Sequence, residues 1–81
     1  MKYVRFGSEF EPRIYMGNDT MHAELAKADA GHPVSAGHFE IKEGKVRVFG
    51  KSIGLNLKPE ERDAEFISSI LGLLQERTRR D

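Results

Sequence analysis

The chain has no cysteine and no tryptophan, and its charges cancel. Without cysteine there is no disulfide, no thiol nucleophile and no thiolate-ligated zinc. Thirteen basic and thirteen acidic side chains give a formal charge of zero. That balance supplies no general attraction to nucleic acid or to an anionic membrane, so neither is expected as a partner. No apolar run reaches the ~18 residues that a membrane span requires. Met1 opens directly on a strand-like segment, so no leader is expected and a cytoplasmic location is the default. Repeats and low-complexity tracts are also lacking. The 81 residues therefore read as one small domain over 1–81. At this size a chain buries roughly 60–65% of its unfolded surface, enough for a modest core.

Punctuation by glycine and proline divides what is there. Residues 2–6, Lys-Tyr-Val-Arg-Phe, form an aromatic and β-branched strand. Gly7, Ser8 and Pro12 mark a turn, and residues 13–16 a second strand. Asn18 and Asp19 offer N-cap side chains for a helix over 20–29, with Met21, Leu25 and Ala28 on one face. Gly31 and Pro33 stop it.

Residues 39–41 and 46–49 flank a turn at Glu43-Gly44. A two-residue turn pairs Ile41 with Val46 and Phe39 with Val48 on the core side, and sets Glu40 opposite Arg47 on the other. Ile53, Leu55 and Leu57 alternate as a further short strand. Pro59 then opens a helix to about 77, with Ala64, Ile67, Ile70, Leu71 and Leu74 as its apolar stripe. Gly72 weakens its last turns, and a frayed tail over 77–81 is expected. The expected fold class is α+β: a two-layer sandwich with a mostly antiparallel sheet of four to five strands and both helices on one face.

Two stretches carry chemical interest. Val46 to Asn56 leaves a strand and passes through Gly50-Lys51-Ser52-Ile53-Gly54. Glycine-punctuated backbone beside a cation and a hydroxyl is either a tight bend or an anion cradle. A nucleotide-triphosphatase loop is excluded because Lys45 stands where its upstream glycine belongs. His22 falls in the first turn of the first helix, where the positive end of the dipole disfavours its charged form. A neutral imidazole is what a general base requires; the alternative is a helix histidine with no task. The spacings of His22, His32 and His38 match no common metal pattern, so no metal site is expected.

Lys2-Tyr3-Val4, Met21-His22-Ala23-Glu24-Leu25, Ala36-Gly37-His38-Phe39-Glu40-Ile41 and Val46-Arg47-Val48-Phe49-Gly50-Lys51-Ser52 follow one another in an order that resembles the janus/ocnus family. That family includes the protein phosphohistidine phosphatases. The resemblance covers residues 1 to about 54. It implies a single janus/ocnus-like domain with His22 as general base, a phosphate cradle at Ser52-Ile53-Gly54 and Lys2 as a phosphate-binding lysine. It further implies hydrolysis without metal or other cofactor, on a phosphorylated protein or a small phosphoramidate. Three departures stand out. His38 occupies the place of an arginine beside the family's phosphate site, Lys51 replaces the second aromatic of the loop, and the chain after Gly54 has no counterpart of the final strand. Lys51 is positioned to restore the lost cationic charge. The competing reading is a non-catalytic interaction module, with homodimerisation through the long helix and Phe66 and Leu73 off its main stripe.

Overall fold

The computed structural model describes residues 1–72. Leu73, Leu74, the arginines at 77, 79 and 80 and the expected tail lie outside them. Four antiparallel strands form one sheet in the order β2-β1-β3-β4: β1 (Lys2–Phe6), β2 (Arg13–Gly17), β3 (Pro33–Lys42) and β4 (Lys45–Phe49). Two helices, α1 (His22–Ala26) and α2 (Asp63–Ile70), complete a small α+β fold. Neither is long and apolar enough to cross a membrane.

The β3–β4 hairpin has the register that the period-2 pattern predicts. Phe39 pairs with Val48, Glu40 with Arg47 and Ile41 with Val46. Glu43 (φ 54°) and Gly44 (φ 77°) both take positive φ, the backbone of a two-residue turn whose twist matches the strands it joins. Arg47 Nε donates to Glu40 at 3.1 Å on the exposed side.

Successive side chains on a strand point to opposite faces. On β1 that alternation separates two cores. Val4 and Phe6 pack with Ala36 and with Leu25 of α1, joined by Tyr15, Leu55 and Leu57. Tyr3 packs with Phe39 and with Ile67 of α2, joined by Ile14, Met16, Val46 and Val48. The helices therefore cover opposite faces, and the sheet lies between them instead of forming one of two layers. The near-continuous burial of β1, paired on both sides by β2 and β3, has the same origin. Each large apolar side chain so enclosed contributes about 1.5–3 kcal/mol.

The segment after β4 makes the crossover possible. The expected fifth strand is reduced to a single bridge between Ser52 and Leu57, with turns between them. Leu55 and Leu57 reach inward onto the α1 side. Ala36 N–H then bonds to Lys58 O at 3.4 Å, and a Cβ on Gly37 would meet Pro59 Cγ at 2.5 Å. The chain thus rounds the β3 edge between Leu57 and Pro59 and reaches the second face. There α2 starts at Asp63, four residues later than the proline suggested.

Helix α1 is also shorter than predicted. Its N-cap is Met21, with no side-chain cap bond, so Asn18 and Asp19 are unused. Asp29 ends the helical run by finding other partners: it accepts from Gly31 N–H, Arg13 and Tyr15. Such local bonds compete with continued helix.

Candidate functional site

His22 is the first residue of α1, and its ring turns toward β3. Its Nε2 lies 2.8 Å from the Gly37 carbonyl. A carbonyl only accepts, so Nε2 carries the proton and Nδ1 holds the lone pair of the neutral ring. Five residues are too few for a helix dipole to define the histidine's charge. The tautomer is fixed by this carbonyl instead. Gly37 is pinned from behind, where Pro59 and the Phe49 carbonyl leave no room for a side chain.

His38 is the next residue on β3, with Lys2 of β1 and Phe49 of β4 as cross-strand neighbours. Its ring meets His22 edge-on, at 90° with centroids 5.2 Å apart. It also stacks on the Phe49 ring, with centroids 5.7 Å apart. Gly50, at φ +72°, closes over it so tightly that a Cβ there would come within 2.8 Å of His38 Cδ2. His38 thus stands between the predicted base and the start of the predicted cradle. Burial lowers its pKa, and the charge of a protonated His22, of the amino terminus and of Lys2 lowers it further. Lys2 is half-buried and donates its Nζ to Asn18 O at 3.3 Å.

The remaining candidates follow along the loop. Lys51, Ile53 and Gly54 are exposed. Ser52 is buried, its N–H donated to Leu57 O at 2.8 Å and its Oγ accepting from Leu55 N–H at 3.2 Å. Its hydroxyl and amide are therefore committed to the turn. The positive φ values of the stretch belong to Gly50 and Asn56, not to Gly54. Lys51 and Ser52 border an open depression of about 490 Å³. Thus His22, His38, Lys2 and Gly50 form one cluster, from which Lys51 leads into the depression. Among the described residues no group of three His, Asp or Glu converges as a metal site.

A buried polar group was missed in the sequence. Asp63 is fully buried on the α2 face and accepts from Tyr3 Oη at 2.5 Å, Arg5 at 2.8 Å and Glu60 N–H at 2.9 Å. Arg5, also buried, reaches Glu60 at 3.1 Å and lies over the Phe66 ring at 5.1 Å. Burial and the Asp63 carboxylate push the Tyr3 phenol well above its ordinary range. The network clamps the start of α2 onto β1; it does not face the histidines, since Tyr3 and Arg5 project from the opposite side to Lys2.

Comparison with protein-family models, with curated proteins and with solved structures finds no match to this chain.

Proposed function

We propose that the cluster around His22 is a phosphoryl site, and that the protein is a phosphohistidine-type phosphatase or a phosphate-binding relative of such enzymes. The observation that carries the reading is the hydrogen bond from His22 Nε2–H to the Gly37 carbonyl. It leaves Nδ1 as the atom available to take a proton from water. Hydrolysis of a phosphoramidate asks little covalent chemistry of a protein: it needs an oriented water and positive charge on the phosphoryl oxygens. His22 Nδ1 serves the first need. Lys2, paired opposite His38, and Lys51, following Gly50, serve the second. His38, held neutral by its surroundings, shapes the floor and keeps a hydrogen-bonding ring beside His22. Ile53 and Gly54 offer exposed loop backbone to the same anion, whereas Ser52 acts by holding the turn. The substrate class is a phosphorylated protein or a small phosphoramidate, as the janus/ocnus resemblance implies.

The test is turnover of phosphoramidate and of a phosphohistidine peptide by the native chain and by His22→Ala. Loss of turnover in a variant with an unchanged fold supports the reading; equal turnover removes His22 from the mechanism.

A second reading, a non-catalytic interaction module or homodimer, draws on Ile70 (52% exposed) and Leu71 (41% exposed) at the end of α2. Phe66 does not join them, because Arg5 packs over its ring. Sedimentation of the native chain against an Ile70→Ser variant tests it.

A further inference from the structure

The depression beside Lys51 has features that phosphoryl chemistry at His22 does not use. Its volume, about 490 Å³, falls within the ~300–1,000 Å³ of small-molecule sites. Val34, Ile53 and Leu57 supply apolar wall, and Lys51 and Lys58 supply charge. Ile53 is 84% exposed and Val34 40% exposed. Large aliphatic side chains left in water at the lip of a concave surface are more informative than scattered ones. Among the described residues neither lysine enters a salt bridge. The one acid on the wall, Glu60, lies 3.1 Å from Arg5, which it shares with Asp63, so the two lysines face a single wall carboxylate. The floor is built rather than loose: Ser52 and Leu57 exchange backbone hydrogen bonds at 2.8 and 3.1 Å.

We infer that this depression binds an organic anion with a short hydrocarbon body. Its phosphate or carboxylate is held by Lys51 and Lys58, and its hydrocarbon lies on Val34, Ile53 and Leu57. A bare inorganic anion makes no use of the apolar wall, and a neutral hydrocarbon makes no use of the two ammonium groups. An amphiphilic anion uses both. The inference goes beyond the phosphoryl reading: it shares Lys51 with that site but requires no step at His22.

The experiment is an NMR titration of the full chain with hexyl phosphate, hexanoate, inorganic phosphate and hexanol. At least one hexyl anion should shift the amides of Val34, Ile53 and Leu57 saturably. It should bind about tenfold or more tightly than inorganic phosphate, a factor that burial of two methylenes supplies. Hexyl phosphate alone binding assigns a phosphate ester; hexanoate alone assigns a carboxylate. Ile53→Ser should weaken the hexyl anion about tenfold and inorganic phosphate hardly at all. Lys58→Ala should weaken it in a way that added salt diminishes. His22→Ala should bind the hexyl anion as the native chain does, so failure of the catalytic reading and failure of this one are distinguishable. The inference is overturned if hexanol binds as well as the anions, or if no hexyl anion binds more tightly than inorganic phosphate. It is equally overturned if Ile53→Ser acts by dissociating a dimer, because a second copy would then cover the surface.

Discussion

The rings of His22 and His38 meet edge-on at 90°, with 5.2 Å between centroids. One belongs to the start of a short helix and the other to the middle of a strand. The Gly37 carbonyl joins them: it accepts the hydrogen bond from His22 Nε2–H and precedes His38 in the chain. A charge on either ring is therefore felt by the other.

The first consequence is in the titration of His38. Its pKa should lie below the ordinary 6.5, from burial first and positive neighbours second. The neutral ring is the one that suits the fold. Its contribution to stability is thus complete above the unfolded value of 6.5 and is lost as pH falls through the lower folded value. Lys2→Ala should move the pKa upward, and so should bound phosphate. Proton NMR of the ring reads both shifts; a pKa indifferent to Lys2 and to phosphate would remove His38 from the anion's surroundings.

Gly50 and Gly54 should behave differently. Gly50 has φ +72° and no room for a Cβ beside His38. Gly50→Val should cost about 1–3 kcal/mol and displace the His38 ring. Gly54 has neither a positive φ nor a neighbour within 4 Å of an added Cβ, so Gly54→Val should stay within about 0.5 kcal/mol of native stability. Urea unfolding of both variants makes the comparison.

Asp63→Asn should be among the most damaging single substitutions on the α2 side. It leaves the Arg5 guanidinium buried without its nearest counter-charge, at a cost of about 3–5 kcal/mol. Tyr3→Phe should cost less, about 1–3 kcal/mol, because the carboxylate keeps its other donors. Denaturant midpoints should rank the two in that order, and a loss below about 1 kcal/mol for Asp63→Asn would show that the clamp is dispensable.

Asp29 should contribute acid sensitivity on the α1 side. Hydrogen bonds from Arg13, then from the Gly31 amide and Tyr15, hold its carboxyl well below the usual carboxylate range. A depressed folded pKa contributes stability above the unfolded value of about 3.9, and that contribution disappears as pH falls through the folded value. Asp29→Asn should therefore lower the thermal midpoint at neutral pH and flatten its decline in acid. Parallel acid declines for variant and native chain would contradict this.

Much of the fold was legible where the signal was local. The β3–β4 register followed from alternation, from paired charges and from one turn. Three features were not local. The division of the helices between two faces depends on where residues 52–59 cross the β3 edge, and Ile53-Leu55-Leu57 alternates whether it makes a strand or a folded turn. The Asp63 clamp joins residues from the two ends of the described chain, and an acid near a helix start reads equally well as an exposed dipole partner. Burial of Tyr3 and Arg5 as well as Val4 and Phe6 was the available hint, since only a central strand is covered on both faces. In the candidate site, His22 stood out by its position at a helix start, whereas Lys2 entered only through the family resemblance. The place of His38 depends on β3 starting at Pro33, well before the apolar pairs that defined the hairpin.

The most direct test of the proposed phosphoryl site is a titration of labelled protein with inorganic phosphate, reading the two histidine rings and the backbone amides together. The proposed site predicts saturable shifts of the His22 and His38 rings and of the Lys2, Lys51, Ile53 and Gly54 amides, concerted and larger than any others, and lost in His22→Ala with Lys2→Ala. Rings unmoved at millimolar phosphate, with the largest shifts elsewhere in the chain, would contradict it.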